Sequence, residues 1–173
     1  MLDRLTIFVL LLAVACIASA QNCQPTNIPA STPTDRFTDN GNGTVTDTIT
    51  GLMWKRCAEG MTWTNGTCHG HESHFSWQDA LQHVSSTNQT GGYAGRTDWR
   101  VPKVKELLSI VERQCNYPAI NLEVFPNASV SYFWAGSLVT DDSNHAWLVH
   151  FNYGGDYWVL RYDGSAVRLM RAE

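Results

Sequence analysis

The chain predicts an α+β fold. Three observations predict it: a Gly- and Asn-rich hairpin beginning at Asp39, two amphipathic helical stretches in the middle, and alternating strands from Tyr132 onward. Strands, helices and strands in separate blocks indicate α+β, not alternating α/β units.

Thr44-Val45-Thr46-Asp47 alternates, and Gly51-Leu52-Met53-Trp54-Lys55 follows a turn at Thr50-Gly51, so the two read as paired short strands. The first helix starts at an N-cap, Ser76, with Asp79 three residues on as its capping-box partner. Trp77, Ala80, Leu81 and Val84 then mark one apolar face. Gly91-Gly92 ends it. The second helix follows Pro102, which suits a first helical turn. Its stripe is Val104, Leu107, Leu108 and Val111. From Tyr132 the period becomes two. Tyr132–Ser137, Ala146–Phe151, Tyr157–Arg161 and Ala166–Met170 read as strands, with turns at Asp141–Asn144, Gly154-Gly155 and Asp163-Gly164.

Residues 1–20 read as a secretory signal: Arg4, the apolar run Leu5–Val14, then Ala18-Ser19-Ala20 as the cleavage site. Lipidation at Cys16 is the less favoured alternative, because Ala13-Val14-Ala15 fits a lipoprotein box poorly. Residues 21–35, rich in Pro, Thr, Ser and Asn, read as an extended arm, and 36–173 as one domain. After signal cleavage no stretch is apolar enough to cross a membrane. The expected location is therefore secreted, periplasmic or cell-surface. Cys23, Cys57, Cys68 and Cys115 remain, and four cysteines allow three disulfide connectivities. Cys57–Cys68 closes a short Gly-rich loop and is favoured; elimination leaves Cys23–Cys115, with a free Cys115 as the alternative. The formal net charge is −4, which argues against nucleic acid as a partner.

Several pieces then justify a family resemblance: Phe37 to Trp54, Phe75–Leu81, Trp99 to Leu108, Pro118–Asn121 with Phe125-Pro126, Tyr132 to Ser137, Ala146 to Phe151, and Val167–Arg171. In this order the chain resembles the DUF1566 family, also called the Lcl C-terminal domain family after the Legionella collagen-like adhesin. The resemblance implies a C-type-lectin-like fold, with two helices packed on a small, twisted, mostly antiparallel sheet. It also implies a bacterial envelope or surface location. The best-studied member is a trimeric adhesin that recognises sulfated polysaccharides, which leaves a homo-oligomer open here. The present sequence departs in having no collagen-like Gly-x-y stretch and in being acidic, whereas polysulfate binding favours a basic face.

Candidate sites follow from residue chemistry, each beside a plainer reading. Asn152, Tyr153, Asp156, Tyr157 and Trp158 combine aromatic rings with amide and carboxylate groups, the mixture that a pyranose requires. Trp134 and Trp63 are candidates to extend that surface; the plainer reading is that alternate residues pack the core. Asp141, Asp142 and Asn144 form an acidic loop suited to calcium and sugar, or a solvated turn. Asp39–Asp47 likewise reads as a calcium loop or as a hairpin turn. Neither loop carries a full calcium motif, so the expected cofactor is none, with calcium as an option. Arg161 and Arg168 share a face if their strands pair, which would suit sulfate or carboxylate; separate surface charges are the plainer reading. His69, His71 and His74 beside Cys68 are weak metal candidates, and an oxidised Cys68 cannot be a thiolate ligand. No nucleophile elbow or opposed carboxylate pair suggests an enzyme. The expected function is non-catalytic recognition of a glycan or surface protein in bacterial adhesion. The alternatives are a structural or interaction subunit of a pilus, fibre or envelope complex, and a metal-binding protein using the His69–His74 loop.

Overall fold

The structure, a computed structural model, describes residues 21–172. The expected signal segment, with Cys16, lies outside the described residues.

The opening hairpin forms as the alternation requires. Strands β2 (Phe37–Asp39), β3 (Thr44–Asp47) and β4 (Leu52–Lys55) follow the short β1 (Asn22–Cys23) and pair antiparallel, with Thr44 opposite Lys55 and Asp39 opposite Val45. Strand β5 (Thr62–Thr64) and strand β6 (Thr67–His69) make a separate hairpin. Helix α1 spans Trp77–Gln89, and the Ser76 hydroxyl accepts from the Asp79 N–H as its cap. Trp77, Ala80 and Val84 are the buried face. Gly92 closes the helix end with φ +70°, and a Cβ there would lie 1.7 Å from the Arg96 carbonyl oxygen. Gly92→Ala is therefore expected to cost about 2–3 kcal/mol through positive φ and backbone collision, read as a lowered urea midpoint with unchanged slope.

Helix α2 is only Val104–Leu108, five residues. Strands β7 (Cys115–Asn116), β8 (Tyr132–Val139), β9 (Asp142–His150), β10 (Gly155–Leu160) and β11 (Met170–Ala172) complete the chain. Among the described residues four small antiparallel sheets result: β1–β7, β5–β6, β11–β4–β3–β2 and β10–β9–β8.

This corrects the expected fold class. With 36% strand and 14% helix among the described residues, the structure is mostly β and carries one substantial helix there, so it is not the two-helix-on-sheet, C-type-lectin-like α+β fold. The second apolar stripe misleads because Val111, its last member, lies beyond the helix. The Ser109 hydroxyl bonds back to the Glu106 carbonyl, and the chain then bridges Val111 to Ile120, where the Glu112 N–H donates to the Ala119 carbonyl. Burial against Ile120 wins over continuing one more helical turn. The stretch 166–169 also departs from a regular strand, running as a buried connector. It bonds Trp134 N–H to Ala166 O, Glu59 N–H to Val167 O and Lys55 N–H to Leu169 O.

The middle of the β8–β9 pair is buried on both faces, whereas β10 is half-buried or exposed along its length. Phe133 and Val149 join one apolar cluster with Leu107 and Phe125, while Trp134, Ala146 and Leu148 join another with Trp77 and Val167. Alternation explains the division, since neighbouring residues along a strand point to opposite faces. Both disulfides form, Cys57–Cys68 and Cys23–Cys115. The second anchors the arm, and Glu112 holds it further along. Its carboxylate accepts from the Ser31 and Thr32 backbone N–H groups at 2.9 and 2.8 Å.

Candidate functional site

The exposed part of the β8–β9–β10 sheet collects aromatic side chains at one end and polar ones at the other. Register builds the aromatic end. Tyr132 lies opposite His150 on β8 and β9, and His150 lies opposite Gly155 on β10. The Tyr132 and His150 rings stack with centroids 3.9 Å apart. Tyr157 stands edge-on to Tyr132 at 6.3 Å. Beside them is a cavity of about 280 Å³ whose lining includes Tyr132, Leu148, Tyr157, Val159, Asp163 and Ser165. Tyr132 is 45% exposed, Tyr157 48% and Trp158 54%, well above the exposure of core aromatics. Trp158 borders the cavity along its strand, while its ring meets His145 at 4.8 Å. Tyr117 and Tyr153, both exposed, meet edge to face at 5.0 Å with their hydroxyls in contact.

Glu72 supports this end from below. Burial works to raise its carboxyl, but the Ser131 hydroxyl bonded to it, a backbone N–H and the neighbouring His74 together outweigh burial and hold it below the ordinary value. Ser131 immediately precedes Tyr132, so the ion is placed to fix the start of β8.

The polar end is the β8–β9 turn. Asp141 adopts φ +62°, and Asp142 accepts from the Asn144 N–H at 2.9 Å and pairs with His145 Nδ1 at 2.6 Å. The Asn144 N–H, with help from His145, holds the Asp142 carboxyl below its ordinary value. The Arg161 guanidinium lies 4.1 Å above the Trp77 ring and donates to the Ser143 carbonyl at 2.9 Å. Two adjoining cavities open here. One, of about 350 Å³, is lined by Asp141, Asp142 and Arg161; the other, of about 540 Å³, by Gln78, Asn144, Arg161 and Tyr162.

Sequence reasoning thus has Asp141, Asp142, Asn144 and Arg161 in one place, and Tyr157 and Trp158 in another. Asn152 and Tyr153 occupy the turn after β9, where the Asn152 carbonyl accepts from Tyr117 N–H. Asp156 is exposed on β10.

Three expectations need correction. Trp134 is fully buried, its indole N–H donating to the Phe75 carbonyl at 2.7 Å, so it offers no stacking face. Arg168 is also buried and donates to the Lys55 and Arg56 carbonyls, with its guanidinium 4.8 Å from the Phe125 centroid. It forms no surface patch with Arg161. Trp63 lies beneath the Arg56 guanidinium at 4.5 Å, on the separate β5–β6 hairpin.

The metal-like segments are engaged otherwise. Cys68 is in a disulfide, and His74 stands 3.9 Å from Glu72. Asp39 accepts from Gly41 N–H at 2.8 Å and from Arg56 at 2.7 Å, while Asp47 takes the Arg36 guanidinium at 2.5 Å. Among the described residues, no three His, Cys, Asp or Glu side chains cluster as a metal site, the His69, His71 and His74 segment included. Tyr132, His150, Asp163 and Gln78 are site residues that sequence reasoning passed over. Only the strand register and the chain's return at 161–165 bring them in.

The profile of the Lcl C-terminal domain family matches residues 43–171. The chain belongs to the Lcl C-terminal domain family. The matched span begins at the β2–β3 turn and ends within β11, so it contains both ends of the late sheet. Comparison with curated proteins finds no match. Among the described residues no helix of this Lcl C-terminal domain is long and apolar enough to cross a membrane. Two disulfides fit an oxidising compartment outside the cytosol.

Proposed function

We propose that this domain is an exported, non-catalytic recognition module that binds glycan at the bacterial surface and serves adhesion. The observation that carries the reading is the aromatic end of the late sheet. Half-exposed Tyr132 and Tyr157 flank a cavity with an apolar floor, Leu148 and Val159, and a polar rim, Asp163 and Ser165. A pyranose has an apolar face for the rings and hydroxyls for the rim. Such a concave site with a few convergent polar groups is the usual form of a small-ligand site. Family membership supports the surface role. The polar end, with Arg161 held on Trp77, is the second contact region for a longer chain.

The test is a broad glycan array probed with the folded, disulfide-intact domain, with and without calcium. Tyr157→Ala is expected to weaken a bound glycan about tenfold through lost ring contact while leaving the melting temperature within a degree or so of wild type. Calcium is not required in this reading, so a chelator leaves binding unchanged.

One observation favours a protein ligand as the second reading. Strand β10 lies at the sheet edge, whereas the β8 edge is covered by the connector at Ala166. An open edge with exposed aromatics accepts an added strand. A blank array with specific capture of one envelope protein, lost when Asp156→Pro removes an outward-facing N–H of the edge, supports that alternative.

A further inference from the structure

We infer that the aromatic cleft selects glycans carrying a protonated amine, an amino sugar with its nitrogen free, through the Asp163 carboxylate. The inference rests on the glycan reading above and names the ligand's chemistry.

The cleft is electrostatically one-sided. Among the described residues Asp163 is the charged side chain in its lining, and its carboxylate has no hydrogen bond or ion pair. The nearby guanidiniums are committed elsewhere. Arg161 lies on Trp77 beside the other cavities, and Arg168 is buried against Phe125 and Phe133. A sulfated or carboxylated sugar entering this cleft would meet a carboxylate with no cation in the lining to offset it. An ammonium meets the reverse: a carboxylate and the negative faces of two tyrosine rings, both of which attract it.

The backbone that carries the anion is also held in position. The Asp163 N–H donates to the Leu160 carbonyl at 3.0 Å, and Ser165 exchanges two backbone bonds with Phe75 at 2.9 and 3.0 Å. These bonds pin both sides of the turn that carries Asp163. The turn therefore requires little backbone ordering when a ligand arrives.

The experiment compares short β-1,4-linked glucosamine oligomers, amines free and protonated, with the same oligomers N-acetylated. Wild type, Asp163→Asn and Tyr157→Ala are titrated calorimetrically at low and moderate salt. Asp163 is on an exposed turn, and a melting curve checks that each variant is folded. The expected result is binding of the free-amine oligomers that weakens about tenfold with Asp163→Asn, about tenfold on N-acetylation, and further with salt. If the acetylated oligomers bind as tightly and Asp163→Asn changes nothing, while Tyr157→Ala still weakens binding, amine selection is wrong and glycan recognition stands. If neither oligomer binds while the array shows other glycans lost with Tyr157→Ala, amine selection alone is overturned. If no oligomer and no arrayed glycan binds folded protein, both fail.

Discussion

Glu59→Gln is expected to destabilise the domain by about 3–5 kcal/mol, the cost of leaving a buried cation without its partner. Glu59 is nearly inaccessible, and one carboxylate oxygen takes the Lys55 ammonium at 2.5 Å. The other takes His83 Nε2 at 2.7 Å. Glutamine keeps the volume and one acceptor oxygen but removes the charge, so Lys55 stays buried with a neutral amide and the Tyr93 ring, 4.5 Å from its nitrogen, in place of a counter-ion. The same ion sets an acid limit. Burial works to raise the Glu59 carboxyl, but the His83 hydrogen bond and the Lys55 charge outweigh it and hold it below its ordinary 4.5. A carboxyl depressed in the folded state binds its proton more readily when unfolded. Its stabilisation is full above about pH 4.5 and is lost as pH falls through the lower folded value. Denaturant titrations across acid pH should show wild type losing stability steeply there and Glu59→Gln losing less. Equal slopes would mean that Glu59 is not the ion controlling this range.

Arg168→Met is expected to cost about 3 kcal/mol, the loss of charge-assisted hydrogen bonds and ring contacts less the recovered desolvation of the charge. For a domain of this size that lowers the melting temperature by roughly 6–12 °C. Burial lowers the Arg168 guanidinium to about 10, so it remains protonated at neutral pH. It ties the connector to the β4–Arg56 segment through the Lys55 and Arg56 carbonyls and fills the space against Phe125 and Phe133. Methionine replaces the stem but leaves both carbonyls short of a donor. Lysine, a point charge without the planar fork, is not expected to restore stability. A change below half a kcal/mol would show that Arg168 is not a cross-brace.

These two residues also show what the sequence can and cannot disclose. A buried arginine has the same local signature as a surface one, and nothing in Val167-Arg168-Leu169 announces two carbonyls and two rings around it. Trp134 fails for a related reason. Period two says that neighbours face opposite ways, but where the middle of β8 is covered on both sides each face is apolar. Phe133 and Trp134 therefore look equally eligible for the surface, and both are core. Where one signal had one meaning, the reading succeeded. The Ser76–Asp79 cap gave helix α1, the Thr50-Gly51 turn gave β3–β4, and the short Gly-rich loop gave Cys57–Cys68, with Cys23–Cys115 following by elimination. The Val104–Val111 stripe failed because a sequence pattern cannot show that Val111 has a better partner at Ile120. The candidate site was half legible. Tyr157 and the Asp141–Asn144 turn are local features, whereas the Tyr132–His150 stack and the approach of Asp163 depend on long-range register.

The central claim is that the late sheet's aromatic end is the recognition surface. Amide chemical-shift mapping, with the tightest glycan found on the array, tests it most directly. The predicted result is a set of shifts centred on Tyr132, His150, Tyr157 and Asp163, absent in Tyr157→Ala. Shifts centred instead on the β2–β3–β4–β11 sheet, or no binding by the folded wild-type domain, would contradict it.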